Sequence, residues 1–161
     1  MKREKEKIVK PIHLARDNRE IVYRAIRNWN ESEIVDIYRA GGWWEMGWDI
    51  TNITSLIHGS FLFIIAIDVT TGHAIGMGRI IADGTSDGYI QDVAVLHHYR
   101  KLGIGTTIVT LLRSLGNALG LSWLGLISAP GKENIYKHAG FSIMKNYTPM
   151  NIDDERKNRY Q

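Results

Sequence analysis

Arg100-Lys101-Leu102-Gly103-Ile104-Gly105 is the stretch of this chain whose residue types and spacing point most directly to chemistry. Two cations stand ahead of two glycines. An amphipathic run follows, with Ile104, Ile108, Leu111, Leu112, Leu115 and Leu119 on one helical face and Gly120 as its C-terminal stop. The first N–H groups of a helix have no intrahelical acceptors, the macrodipole adds partial positive charge there, and glycine lets an oxygen approach the backbone. The chemistry implied is capture of a phosphate. A Walker loop is excluded, because Gly105 is followed by Thr106-Thr107 and not by Lys-Ser/Thr. A dinucleotide fingerprint is excluded, because its third glycine would fall on Ile108. The structural alternative is a plain tight turn.

A second cluster, Trp43-Trp44-Glu45-Met46-Gly47-Trp48-Asp49, holds three of the five tryptophans of the chain and two carboxylates. Tryptophan faces attract an ammonium group and a nearby acid holds it, so this composition suits a cationic amine. Packing of a helix junction or a dimer contact would use the same residues. His97-His98 invites a metal reading, but neighbouring side chains point in different directions and no His-Glu-x-x-His or acidic pattern surrounds them. Solvated turn histidines and no metal are expected.

The elements that must position these residues follow from periodicity. Glu20 to Ile26 reads as a first strand. Asn30-Glu31-Ser32-Glu33 resembles a capping box ahead of a helix carrying Ile34, Ile37 and Tyr38 and stopped by Gly41-Gly42. Asp49 is placed to cap a second helix with Ile50, Ile53, Leu56 and Ile57, closed by Gly59. Phe61 to Ile67 is apolar on both faces and predicts a central strand covered from both sides. His73 to Ala82 predicts a third strand, with turns at Thr70-Thr71-Gly72 and from Asp83-Gly84 to Asp87-Gly88. Tyr89 to Leu96 predicts the fourth, Leu121 to Ser128 the fifth, Lys132 to His138 a short helix, and Phe141 to Lys145, extending toward Met150, a last strand. The order is β-α-α-β-β-β-α-β-α-β. It predicts an α/β (α+β) domain with a mixed sheet and helices on both faces, whose fourth and fifth strands are parallel through a right-handed crossover.

Around the glycine loop stand three further motifs: Gly78-Arg79-Ile80-Ile81-Ala82-Asp83-Gly84, Gln91-Asp92-Val93-Ala94-Val95-Leu96, and Ile135-Tyr136-Lys137-His138-Ala139-Gly140-Phe141. With Arg-x-x-Gly-x-Gly they resemble, in order and spacing, the GNAT superfamily of acyl-CoA-dependent N-acyltransferases, over roughly residues 20 to 150. The resemblance implies a mostly antiparallel central sheet whose fourth and fifth strands splay apart to admit acetyl-CoA. It implies that backbone N–H groups of Lys101, Leu102, Gly103, Ile104, Gly105 and Thr106 hold the pyrophosphate, with Arg100 supporting the turn or reaching a phosphate. It implies further that Val93, Ala94 and Val95 meet the pantetheine as an added strand would, with the Val93 N–H polarising the thioester carbonyl. His97-His98 departs from the family pattern. The family often has an asparagine in the loop before the tyrosine motif to meet pantetheine; Ala129-Pro130-Gly131 stand near there instead, a second departure, and Asn134 is expected among the cofactor-binding residues.

By the same resemblance Tyr136 is the catalytic candidate that protonates the departing thiolate, the alternative being a core tyrosine on a short helix. A proton must also leave the amine, since an alkyl ammonium has a pKa near 10. Asp92 is the candidate base and Gln91 could hold a relay water; Glu45 is a second candidate, and Asp92 could instead brace a turn. Trp43, Trp44, Glu45 and Gln91 are the expected acceptor-binding residues, because the resembled family commonly lines the acceptor side of its cleft with this inter-helix segment.

At 161 residues the chain fits one acyl-CoA N-acyltransferase domain, with residues 1–18 as a basic leader and 151–161 as a loose tail. It has no cysteine, which excludes disulfides, thiolate metal sites and a cysteine nucleophile. The formal net charge is +3, and residues 1–20, with seven Lys/Arg against four Asp/Glu, account for all of it. A neutral body argues against a nucleic-acid surface. The basic N-terminus lacks the apolar stretch of a signal peptide, and Phe61 to Ile67 is too short to span a bilayer, so a cytoplasmic protein with no membrane partner is expected. The expected function is transfer of an acetyl group from acetyl-CoA to the primary amine of a small cationic molecule by direct attack. A protein N-terminal or lysine acetyltransferase and a non-catalytic CoA-binding regulator stand as alternatives, and a homodimer is left open.

Overall fold

The computed structural model describes residues 7–152. Its elements, in chain order, are strands β1 (Lys7–Leu14) and β2 (Glu20–Ala25), helices α1 (Glu31–Gly41) and α2 (Asn52–Gly59), strands β3 (Leu62–Asp68), β4 (Ala74–Ala82) and β5 (Asp87–Val95), helix α3 (Ile104–Ala118), strand β6 (Trp123–Gly125) and helix α4 (Glu133–His138). A single 3₁₀ turn, His97–Tyr99, separates β5 from the glycine loop. The six strands lie side by side in the order β1-β2-β3-β4-β5-β6. Neighbours are antiparallel from β1 through β5, and β6 pairs with β5 in parallel.

The core has two layers because β3 is buried throughout and apolar from Leu62 to Ile67, with only its last residue, Asp68, charged. Leu62, Ile64 and Ala66 face Ile104, Ile108 and Leu112 of α3. Phe63, Ile65 and Ile67 face Ile34, Ile37 and Tyr38 of α1 and Ile53 and Ile57 of α2. Each such buried aliphatic side chain contributes about 1.5–3 kcal/mol, so the two helical layers are held chiefly by this one strand. On the α3 side the sheet is lined with glycine. A Cβ at Gly78 would lie 2.8 Å from Ile108 Cγ2 and 3.0 Å from Leu112 Cδ1, so α3 rests almost on the backbone of β4.

Four expectations are corrected. Lys7–Leu14, read as leader, is a strand on the sheet edge. It carries Lys10 and Pro11, a charge and a proline of the kind with which a sheet edge resists further pairing, and these hid its strand character. With that strand added, the parallel pair is the fifth and sixth strands in chain order. The strand expected over Leu121–Ser128 is reduced to Trp123–Gly125. The strand expected from Phe141 toward Met150 is absent: residues 141–152 are irregular, and a sheet edge only three residues long offers their N–H groups little to pair with. Of the expected loose tail, Asn151 and Ile152 are exposed and irregular, and 153–161 lie outside the described residues.

Two helix starts also differ in detail. Asn30 caps α1, its Oδ1 accepting the Ser32 N–H at 3.0 Å, but Glu33 turns away and accepts instead from Trp29 Nε1 and the Ala74 N–H, each at 2.8 Å. Asp49 accepts the Thr51 N–H at 2.9 Å in the turn before α2, whose cap position is Thr51 itself.

Candidate active site

The glycine loop meets α3 as its residue types require. Lys101 and Gly103 both have positive φ, 63° and 88°, and the chain enters the helix through Gly103 with no side chain capping it. Nothing lies within 4 Å of the position a Gly103 Cβ would occupy, and no acid sits in the first turn. The head of this 15-residue helix is thus left without a side-chain cap or an acidic neighbour in its first turn. Ile104 is buried and Leu102 packs against the same core, which anchors the loop, while Lys101 is exposed. The Thr106 carbonyl accepts from Thr110 Oγ1 at 2.9 Å. Arg100 braces the turn: its Nε donates to Val95 O at 3.0 Å and its Nη2 to Ala40 O, at the end of α1, at 2.6 Å. Tyr99 ties the loop down from the other side, its hydroxyl donating to Asp68 at 2.8 Å under the Arg19 guanidinium, which lies 4.7 Å from the ring centre.

Beside this loop the sheet opens. The parallel ladder joins Asp87, Gly88 and Tyr89 to Trp123, Leu124 and Gly125, and β5 runs on to Val95 without a further partner on that side among the described residues. Val93, Ala94 and Val95 therefore have no strand partner on that side among the described residues, and the Val95 carbonyl there accepts from Arg100 Nε.

A bulge sits at the same place. Met77 pairs with Ala94 but Arg79 pairs with Gln91, so one residue of β4, Gly78, opposes two of β5, Asp92 and Val93. The extra residue is Asp92, at φ 56°, a conformation Asp tolerates better than most side chains. The bulge breaks the alternation of faces. Val93 and Val95 approach α3 over Gly78 and Gly76, whereas Gln91 and the next residue, Asp92, both engage groups on the α1 face. Asp92 Oδ2 accepts from Tyr38 Oη at 2.7 Å and from Arg79 Nε at 2.5 Å, and Arg79 Nη2 donates to Gln91 Oε1 at 3.1 Å. Burial, then the Asp92 charge and its hydrogen bond, push the Tyr38 phenol far above its ordinary value. Tyr38 is therefore a donor and no base. Sequence reasoning placed Tyr38 on the apolar face of its helix and Arg79 in a strand motif; neither carried a signal of the pairing, which closes across 54 residues.

The tryptophan cluster divides. The Trp44 ring centre lies 6.3 Å from that of Tyr38 and 5.6 Å from that of Trp48, which it meets edge to face, so Trp44 adjoins the Tyr38–Asp92 pair. Trp43 packs over Gly41, and Glu45 is exposed. Gln91 thus lies at the bulge and Trp44 beside Tyr38, whose hydroxyl reaches it; among the described residues no hydrogen bond or ring contact brings Trp43 or Glu45 there. An open groove of about 430 Å³ continues from Gln91 along Ile81, Tyr89 and Trp123.

Tyr136 lies half-buried on α4, the helix that packs on α3, and burial raises its phenol above the ordinary value of 10.0. A phenol held protonated at neutral pH can give a proton to a thiolate. Asn134 is exposed two residues before Tyr136, its carbonyl 2.6 Å from His138 Nδ1. His97 and His98 are exposed in the 3₁₀ turn, and no cluster of three or more His, Asp or Glu able to hold a metal ion occurs among the described residues.

A six-stranded mixed sheet, helices on both faces and an open helix N-terminus beside a parting strand pair define the class: this is the fold of acetyltransferases. Solved structures that share it include a probable acetyltransferase from methicillin-resistant Staphylococcus aureus, with 19% identity, TM-score 0.70, and 83% of this chain and 99% of that one covered. A GNAT family acetyltransferase from Streptococcus pneumoniae matches with 23% identity and TM-score 0.66, over 84% and 98% of the two chains. Glucosamine-6-phosphate N-acetyltransferase from Arabidopsis thaliana matches with 16% identity and TM-score 0.63, over 83% and 99%. No curated protein sequence matches. The acetyltransferase (GNAT) family model matches residues 23–141, so the chain belongs to that family and is an acetyltransferase. The family generally uses acetyl-CoA and binds an acceptor beside it. No helix among the described residues is long and apolar enough to cross a membrane.

Proposed function

We propose that this protein is an acetyl-CoA-dependent N-acetyltransferase, one domain in extent, that acetylates the primary amine of a small molecule by direct attack. The observation that carries the reading is the uncapped N-terminus of α3 beside the stretch of β5 past Tyr89, which has no strand partner on that side among the described residues: an anion seat and a strand-like seat that suit the pyrophosphate and the pantetheine of one ligand. In this reading the N–H groups from Lys101 to Thr106 hold the phosphates, Arg100 keeps the loop in shape, and the main chain of Val93, Ala94 and Val95 aligns the pantetheine. Asn134 lies on the helix that faces its thiol end.

The amine nitrogen attacks the thioester carbon, the carbon–sulfur bond breaks, and the Tyr136 hydroxyl gives its proton to the departing sulfur and regains one from solvent. The proton lost by the amine passes to water held at Gln91. Asp92, whose Oδ2 already accepts two hydrogen bonds, fixes the bulge and keeps Arg79 and Tyr38 in place. Trp44 supplies the aromatic wall for a cationic amine. A second reading, acetylation of a peptide or protein amine, is favoured by one feature: the groove past Gln91 lies open along Ile81, Tyr89 and Trp123.

The test is a thermal shift with acetyl-CoA. Binding to the folded state raises Tm increasingly with ligand concentration. Gly103→Glu puts a negative charge in the anion seat and a side chain at φ 88°, and the shift should vanish. Equal shifts in wild type and variant would remove the loop from the phosphate site. A screen of small amines and lysine-bearing peptides, read as free thiol from acetyl-CoA, then separates the two acceptor classes.

A further inference from the structure

Helix α4 has six residues, too few to hold itself in water, so something outside it must fix the position of Tyr136. Part of the answer is local. The Phe141 N–H donates to Tyr136 O and the Gly140 N–H to Lys137 O, both at 3.0 Å, with Gly140 at φ 89°. This is the glycine lock that closes many helices, and it ends on the Tyr136 carbonyl itself. It leaves the last carbonyls of the helix without helical partners.

One of these, Ala139 O, accepts from Arg113 Nη1 at 2.6 Å. Arg113 comes from the middle of α3 and is half-buried, so its charge stands at the negative end of the α4 dipole in a partly desolvated place. A Cβ at Gly140 would meet the Arg113 guanidinium, so a side chain there would push Arg113 off the Ala139 carbonyl. The positive φ of Gly140 disfavours a side chain independently.

We propose that Arg113 is a positioning residue that sets Tyr136 through the C-terminus of α4. The inference rests on the reading of Tyr136 as the group that protonates the thiolate. It makes α3 a common rod: its first turn holds the phosphate end of acetyl-CoA, and its third turn holds the helix that meets the sulfur end. The role given to Arg113 acts through the Ala139 carbonyl and needs no contact with ligand or acceptor.

The experiment measures kcat and acetyl-CoA affinity for Arg113→Met, Arg113→Lys and Gly140→Ala, each alone and combined with Tyr136→Phe, using acetyl-CoA and an amine found in the screen. Tyr136→Phe should lower kcat about a hundredfold. Arg113→Met and Gly140→Ala should each lower it about tenfold while the acetyl-CoA Kd stays within about twofold, and Arg113→Lys should recover part of the loss. In the Tyr136→Phe background the same substitutions should change kcat by less than about twofold, because the group they position is gone. A full tenfold loss persisting in that background overturns the proposal, as does unchanged kcat in Arg113→Met. Unchanged kcat in Tyr136→Phe alone sinks the acid assignment and the strut together, and so is distinguishable. If Arg113→Met fails to fold, Arg113→Lys and Gly140→Ala carry the same comparison.

Discussion

Asp92→Asn separates two roles for the carboxylate at the bulge. Asparagine has nearly the same shape, tolerates φ 56° at least as well, and keeps an oxygen that can accept from Tyr38 Oη, so backbone strain and cavity formation drop out of the comparison. What is lost is the ion pair to Arg79. Removing one partner of a fully buried pair costs about 3–5 kcal/mol. Here the Arg79 and Asp92 side chains are 15% and 22% exposed, and water relieves part of the uncompensated charge, so about 2 kcal/mol is expected. For a chain of this size that is a fall in Tm of about 4–8 °C. Turnover should fall less than about tenfold, by loosening of the bulge that presents Val93. Denaturant unfolding and thiol release, measured on the same preparation, give both quantities. An unchanged Tm together with a loss of turnover beyond about a hundredfold would refute the bracing role and make Asp92 the proton acceptor.

Trp44→Ala should raise the KM for the amine about tenfold and leave that for acetyl-CoA unchanged, whereas Glu45→Gln, at an exposed position, should change neither; initial rates at varied amine and varied acetyl-CoA check both. Stability should fall at both pH extremes. For Glu33, burial raises the carboxyl, but bonds from Ala74, His73 and Trp29 outweigh it and the net shift is below 4.5; for Asp68, burial is likewise outweighed by Tyr99, Thr70 and Thr71 and the net shift is below 3.8. Depressed carboxylates stabilise the fold above their unfolded values and lose that contribution as pH falls through the folded ones, so Tm should drop below about pH 4.5. The raised Tyr38 phenol acts in the opposite sense: the unfolded tyrosine ionises above pH 10.0 while the folded one stays neutral, and Tm should fall as pH rises past that point. Thermal melts from pH 3 to 11 test both limbs, and a flat acid limb would show that the Glu33 and Asp68 bonds contribute nothing.

Much of this molecule is legible in local sequence because its signals are local. The αL loop at Lys101 and Gly103, the amphipathic run of α3, the apolar run Leu62 to Ile67 of β3 and the turn glycines each follow from the preferences of a few adjacent residues, and each lies where spacing puts it. The family's motifs are of the same kind, which is why Arg100 to Thr106 and Tyr136 could be singled out from the chain alone. What spacing did not decide are the matters settled by partners far away in sequence. Lys7–Leu14 is a strand only because β2 offers it an edge, and Phe141–Met150 fails as one because β6 stops after three residues. The face on which Asp92 lies depends on a bulge, and a one-residue slip in a period of two reverses every side chain beyond it. The partners of Asp92, 13 and 54 residues away, and of Ala139, 26 residues away, exist only once β4, α1 and α3 have packed. Sequence periodicity reports which face of an element is apolar, but which polar groups meet across two such faces depends on register and crossing geometry, and those are properties of the assembled fold.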